Sequence, residues 1–421
     1  AEYCIMVLLG DIGRKVRRGS WLAVLLMACA DGGEDVPATA PAVDRSEALG
    51  DRYMSEGRYR AAVQALQTAV QRRPKSAERH RKLATAYAKD EQLDRAVAAY
   101  EQAIALRDGF AKARTELAIL LTRLDRHDEA VATLERAVEL SPDYAWAHMS
   151  LGLLHFSKGR YEAAQSAYRR AIDANADYGE AWYNLGEVHL KLNDYEAAER
   201  VYRRAIAADS TAAKFRNGLG ASFYRRRDYT AAVGEFRAAV ERDSLYARAR
   251  FNLGNALLRS GRREEGQRQL ALYRKLEEQE RDLASMRNTL LTAPDKAEIY
   301  HDMGMVYSRR GQYDQARIHY MQAIARDSSF APSYHNLGNI QLRQGEFEQA
   351  KSLFRRALRA DSTYVLSYLA LGNAQMRTRQ LPQALDSYQR GLRIAPDDPR
   401  LKRNTAMARQ ILAAAKKRAA P

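Results

Sequence analysis

Cysteine is almost missing from this chain. Of 421 residues only Cys4 and Cys29 carry a thiol, and both lie within the first thirty positions. The body can therefore hold no disulfide framework and no thiolate metal site. Proline is scarce, at 10 residues, so little interrupts helix formation. The apolar run at residues 21–28 (WLAVLLMA) falls short of the roughly 20 residues that span a bilayer. The sequence has no glycine-rich phosphate loop and no nucleophile elbow, and its acidic residues stand at surface spacings. The eight histidines are scattered. His148, His155 and His189 fall on core or near-core columns, where a hydrogen-bonded structural histidine is the ordinary case. No catalytic residue, no metal site and no cofactor is expected, so the chain is read as a non-enzyme.

Hydrophobic residues make up 46% of the chain, enough to bury a core. The formal net charge is +16, and the excess is spread as doublets such as Arg169-Arg170, Arg203-Arg204 and Arg355-Arg356. The first segment is a separate device. Arg14-Lys15-Val16-Arg17-Arg18 forms a basic n-region ahead of the apolar run, in the order of an export signal. Leu26-Met27-Ala28-Cys29 then resembles the bacterial lipobox, in which the cysteine thiol is lipidated. An ordinary signal peptide with a chance cysteine, or an uncleaved anchor, are the alternatives. The expected organisation is a lipoprotein-type signal segment at 1–29 with Cys29 as lipidation site, then a flexible tether at 30–42 rich in Ala, Gly, Asp and Pro.

From there the chain repeats itself. Leu-Gly or Leu-Ala recurs every 34 residues, at Leu49-Gly50, Leu83-Ala84, Leu117-Ala118, Leu151-Gly152, Leu185-Gly186, Leu219-Gly220 and Leu253-Gly254. It resumes after a jump of 50 at Met303-Gly304, Leu337-Gly338 and Leu371-Gly372. Twelve residues after the small residue stands alanine, from Ala62 to Ala384. Four further on stands a large apolar residue such as Tyr168, Tyr202 or Phe354, and three beyond that another alanine. Only Gly266, Tyr273 and Gly391 break these columns. Such spacings put apolar and small residues on one face of two short helices. A turn divides the pair, with Gly57, Gly159, Gly261, Gly311, Gly345 or Asn193 at the helix end. An aromatic closes many repeats (Phe110, Tyr144, Tyr178, Tyr246, Phe330, Tyr364) and is expected to plug the joint to the next one. A single pair cannot bury its own apolar face, so neighbours must stack.

The period and the run Trp182-Tyr183-Asn184-Leu185-Gly186 resemble the tetratricopeptide repeat (TPR) family, over residues 43–280 and 297–398. The resemblance implies an all-α fold, a right-handed TPR α-solenoid of antiparallel helix pairs with a C-terminal capping helix. Repeats 1–7 take 43–280, a helical insert 281–296, repeats 8–10 residues 297–398, and a capping helix with a basic tail 399–421. Leu270, Tyr273, Leu276, Leu283, Met286 and Leu290 carry an apolar stripe through the insert, which points to an extended or extra helix.

The resemblance also implies that the first helices line a concave groove, with positions 2, 5, 6, 9, 12 and 13 of each repeat facing it. On that frame Trp146, Met149, Leu153 and Phe156 form an apolar patch that Tyr183, Leu190, Tyr224, Phe251 and Leu258 extend. Asn184, Asn217, Asn252, Asn255, Asn336, Asn339 and Asn373 form a carboxamide ladder able to hold a peptide backbone. The repeat domain of O-linked N-acetylglucosamine transferase is similar in this respect. Position 13 is basic at Lys89, Arg123, Lys191, Arg225, Arg259, Arg309, Arg343 and Arg377, a rim suited to acidic peptides, although cations there also offset the helix dipole. The carboxylate clamp of chaperone-binding members is not reproduced, since its Lys and Asn are Glu47 and Asp51 here.

The function expected from this is a non-catalytic scaffold or adaptor. It would bind acidic protein or peptide partners, held to the membrane by a lipid on Cys29 and facing the periplasm in a bacterial envelope. A cytoplasmic location is the alternative, and no nucleic acid is expected as partner. A basic solenoid that binds polyanions or nucleic acid, and the substrate-targeting arm of an enzyme such as a glycosyltransferase, are the competing readings.

Overall fold

The computed structural model describes residues 45–419, with side chains as far as residue 414. The leader, Cys29 and the tether lie outside the described residues. Among the described residues there are twenty-one helices and no strand.

The chain divides into two compact units, Ala1–Arg263 and Glu264–Pro421. The first contains α1 (Arg45–Ser55), α2 (Tyr59–Arg72), α3 (Ala77–Lys89), α4 (Leu93–Leu106), α5 (Ala111–Arg123), α6 (His127–Leu140), α7 (Ala145–Ser157), α8 (Tyr161–Ala174), α9 (Gly179–Lys191), α10 (Tyr195–Ala208), α11 (Ala213–Arg225), α12 (Tyr229–Arg242) and α13 (Ala247–Arg259). Odd-numbered helices are the first of each repeat and even-numbered ones the second. From α2 to α12 each packs on the helix before and after it. Every well-packed pair two helices apart joins first helices, such as α5 with α7, α9 with α11 and α11 with α13. First helices therefore crowd together on one side of the stack, and this makes that side the inner one.

The sequence columns explain the close packing. The alanines twelve residues beyond the small residue are fully buried from Ala62 to Ala232, and the large residue four further on lies beside them. Where the small residue is glycine, the ring of the second helix rests on its backbone. A Cβ at Gly152 would meet Tyr168 at 2.5 Å, and one at Gly186 would meet Tyr202 at 2.6 Å. Gly218 of the following repeat presses on the same Tyr202 ring. In these two repeats helix and ring approach within a distance that a methyl group would block.

Turns inside the repeats use left-handed residues. Gly57, Gly159, Gly261, Gly311, Gly345 and Asn193 have positive φ, as expected, and so do Glu91, Asp125, Arg227 and Arg379. Between repeats, the aspartate near the end of the second helix accepts from the amide two residues on, as in Asp209 to Thr211 and Asp243 to Leu245. The closing aromatic stands at the N-cap of the next first helix without capping it through its side chain, and Phe110 is buried there.

The second unit begins within α14 (Arg263–Thr292), one helix of 30 residues. The seventh repeat's second helix does not end where the others do, and the insert simply prolongs it. Leu283 is fully buried beside Met303 and Val306 of α15 (Ala297–Arg309), with Met286 and Leu290 alongside. Three repeats follow, completed by α16 (Tyr313–Arg326), α17 (Ala331–Arg343), α18 (Phe347–Ala360), α19 (Val365–Arg377) and α20 (Leu381–Ile394). The last helix, α21 (Pro399–Ala419), buries Leu401 and Ala408 against Tyr388. A Cβ at Gly391 would stand 2.9 Å from Leu401, which accounts for glycine in a column of alanines.

Candidate functional site

The first helices of the first unit carry three different surfaces in succession. Over repeats 1 to 3 the surface neutralises itself. Lys82 bridges Glu47 at 2.8 Å and Asp51 at 2.6 Å, and Arg79 reaches the other oxygen of Glu47 at 3.0 Å. Arg81 pairs with Glu78 at 2.5 Å and with Glu116 of the next repeat at 2.8 Å. Burial pushes the Glu116 carboxyl above its ordinary range, against the pull of Arg81. These cations and carboxylates are spent on one another. The bridges from Lys82 to Asp51 and from Arg81 to Glu116 join neighbouring repeats, and opposite charges about one repeat apart on adjoining groove positions are the signal from which they are readable.

Over repeat 4 the surface is apolar. Trp146, Leu153 and Phe156 are half-buried, with Trp146 edge-on to Tyr144 at 6.3 Å and Phe156 edge-on to Tyr161 at 5.6 Å. Met149 does not join them. It is 2% exposed and packs with Tyr168, Ala164 and Leu185, so its expected place in the groove is corrected to the core. The reason is position: it lies where α7 meets α9, and Asn184 closes over its sulfur at 3.5 Å.

Over repeats 5 to 7 the surface is aromatic and basic. Tyr183 stacks on Phe215 at 5.5 Å and leans on Tyr202 at 5.8 Å. Tyr224 is half-buried against Tyr229. Phe251 and Leu258, both on α13, are 43% and 37% exposed. The rim residues Lys191, Arg225 and Arg259 are exposed, and no ion pair is seen between them and any described residue. Neither α11 nor α13 contains an acidic residue, while they hold Lys214, Arg216, Arg225, Arg248, Arg250 and Arg259. Lys214 and Arg216 are paired, with Glu180 at 2.6 Å and Glu235 at 3.0 Å.

The asparagines serve the chain itself before any ligand. Asn184 donates to the Glu180 carbonyl at 2.9 Å, Asn252 to the Asn217 side chain at 2.9 Å and Asn255 to the Phe251 carbonyl at 3.0 Å. Asn217 is 3% exposed. In the second unit Asn339 meets His335 at 3.0 Å, and Asn373 accepts from Tyr388 and Asn404, both at 2.9 Å. The ladder is thus partly used in holding repeats together, because carboxamides at these positions reach the neighbouring helix more readily than the open side. Arg309, Arg343 and Arg377 are exposed at the corresponding rim of the second unit, with Arg343 over the Tyr313 ring.

The tyrosines of the second helices reach through to this face. The Tyr202 hydroxyl donates to Glu187 at 2.6 Å, and the Tyr100 hydroxyl lies 3.1 Å from Thr85, each at position 9 of its own repeat. Burial raises the Tyr202 phenol well above its usual range. Among the described residues no group of His, Cys, Asp and Glu is arranged to hold a metal ion. No helix among them is long and apolar enough to cross a membrane.

Family models described as tetratricopeptide repeat match residues 149–213, 217–276 and 335–399, and 110–177 and 82–109; one described as TPR repeat matches 50–91 and 304–345. Together they run from 50 to 399 with gaps at 214–216 and 277–303. No curated protein matches the chain. Among solved structures it is similar to YrrB, titled a TPR protein with an unusual peptide-binding site, at 24% identity over 42% of this chain and 91% of that one, TM-score 0.36. It is similar to PilW, titled a widely conserved type IV pilus biogenesis factor, at 19% identity over 50% and 96%, TM-score 0.43. MamA from Desulfovibrio magneticus RS-1 gives 19% identity over 40% and 95%, TM-score 0.37.

Proposed function

The chain belongs to the tetratricopeptide repeat family, and from that premise we propose that it is a protein-interaction scaffold whose working surface is the first-helix face of the first unit. One observation carries the choice of face. On α13 Phe251 and Leu258 are 43% and 37% exposed, and they continue the half-buried row of Trp146, Leu153, Phe156 and Tyr224 on the first helices before it. Exposed aromatic and aliphatic groups beside buried ones are the usual anchors of a docking surface. The scaffold reading needs no chemistry from the chain, and no family of catalysts is among the matches.

The test is photo-crosslinking in cells, with a photoreactive residue at Leu258 and, for comparison, at Arg170 on the opposite side. Polypeptide adducts from the first position and not from the second are the expected outcome. Equal yields from both positions, or none from Leu258, would refute the assignment of the face. We propose further that the leader tethers the scaffold to a bacterial envelope through Cys29, the support being the order of basic segment, apolar run, cysteine and linker. Cys29→Ala should release the protein from the membrane fraction, and unchanged membrane retention would sink the tether.

A further inference from the structure

We infer that the first unit takes an acidic, extended peptide along repeats 4 to 7, its apolar side chains on the half-buried and exposed apolar groups of those first helices and its carboxylates on the rim cations of repeats 5 to 7. This rests on the scaffold reading above and specifies its partner.

Over repeats 1 to 3 the cations Lys82, Arg79 and Arg81 face Glu47, Asp51, Glu78 and Glu116 at salt-bridge distance. A ligand carboxylate arriving there would have to displace a partner that is already in place, with little net gain. Over repeats 6 and 7 no such competitor stands on the first helices, because α11 and α13 hold no acid. The only first-helix carboxylates nearby are Glu180 and Glu187 of α9, one held by Lys214 and the other by the Tyr202 hydroxyl. Arg225 and Arg259 stand one repeat apart at the rim, exposed, with Lys191 one repeat before them. Between and beside them lie Tyr224, Phe251 and Leu258.

Charge and apolar area thus alternate on one surface. A nucleic acid would be served by the cations but would leave Leu258, Leu153 and Phe156 against a phosphate backbone. A purely apolar segment would bury Phe251 and Leu258 but would bring nothing to the three cations. A peptide with both features satisfies both sets, since carboxylate on arginine gives short charge-assisted hydrogen bonds and an aromatic ring on aromatic floor buries area. Three steps between first helices at about 10 Å each correspond to roughly nine extended residues at ~3.3 Å per residue.

The experiment is selection of a displayed library of random decapeptides on the full-length protein, followed by affinity measurement of the winners. Expected winners carry at least two acidic residues and at least one aromatic or leucine. They should lose about tenfold or more in affinity to the Arg225→Glu, Arg259→Glu double variant. The milder Arg225→Gln, Arg259→Gln pair should lose less, and Arg343→Glu with Arg377→Glu in the second unit should lose nothing. Circular dichroism of each variant checks that the helices remain. Winners without acidic bias overturn the inference, and so does equal loss in the two reversal variants. Binding of a single-stranded DNA oligonucleotide that competes with the winners and outlasts Phe251→Ser and Leu258→Ser unchanged overturns it in favour of a polyanion. If no peptide is selected while Leu258 still yields polypeptide crosslinks in cells, the inference falls and the scaffold stands. If both fail, the scaffold reading falls with it.

Discussion

Tyr202 shows how one side chain is specified by residues in two repeats. Gly186 and Gly218 of the next repeat both lie against its ring, and its hydroxyl is held by Glu187. Gly218→Val would force a branched side chain into the ring, and overpacking of this kind costs about 2 kcal/mol. A lowered denaturation midpoint of the full chain is the expected result, with Tyr202→Leu partly relieving it in the double variant. An unchanged midpoint would mean that the two helices can part freely. The period of 34 made the Gly186 contact readable, because the small and large columns announce each other within a repeat. Gly218 carried no such mark, since it lies outside the column of small residues. Left-handed turn residues divide the same way. Gly57 and Asn193 declare themselves, whereas Glu91 and Arg227 do so only through their place in the repeat. At Arg227 the left-handed backbone disfavours any residue with a Cβ, so Arg227→Gly should stabilise by about 0.5 to 1 kcal/mol in a urea titration. A loss of stability there would argue that the arginine side chain does something more.

At the scale of elements, the joints between repeats differ in kind along the chain. In the first unit they are aromatic and ionic. In the second, His301 reaches Ser333 at 3.0 Å and His335 reaches Ser367 at 3.1 Å, so a buried imidazole at position 5 meets a buried hydroxyl at position 3 of the next first helix. Burial first, and the charge of His301 second, lower the His335 pKa from 6.5 to about 4. Below pH 6.5 the unfolded chain takes up a proton that the folded one refuses. Stability from this group is therefore complete above that pH and drains away as pH falls towards 4, by about 3 kcal/mol at the limit. Urea titrations between pH 7.5 and 4.5 should show the slope, and His335→Gln should flatten it. A slope that survives the substitution would assign the effect to other groups. The groove-facing readings failed where elements touch. Positions 5 and 6 face the groove in a formal frame, yet they lie where successive first helices meet, so Met149 and Asn217 are buried by their neighbours. Phe251, also at position 5, is 43% exposed, so position alone does not decide burial.

For the whole molecule, locality decides the behaviour. Within each unit a repeat touches its neighbours and little else, so stability is built up interface by interface. Hydrogen–deuterium exchange should therefore be fastest in α1, which ends the described part of the first unit with a partner on one side only, and slowest in interior helices such as α8 and α10. Uniform protection from α1 to α13 would instead indicate an all-or-none unit. The repeat count and the helix pairs follow from spacing, whereas the insert is legible there only as an extended or an extra helix. The break between compact units at Arg263 and Glu264 does not, because a helix that runs on looks in sequence like a repeat with an insert.

The tyrosines that pass from the second helices to the first-helix face have a practical consequence. Phenol absorbance and emission respond to hydrogen bonding at the hydroxyl, and the Tyr202 hydroxyl is bonded to a residue on that face. An occupant that draws Glu187 away would alter the absorbance of a ring sealed in the interior, one phenol among 24, and the difference between the native protein and Tyr202→Phe would isolate it.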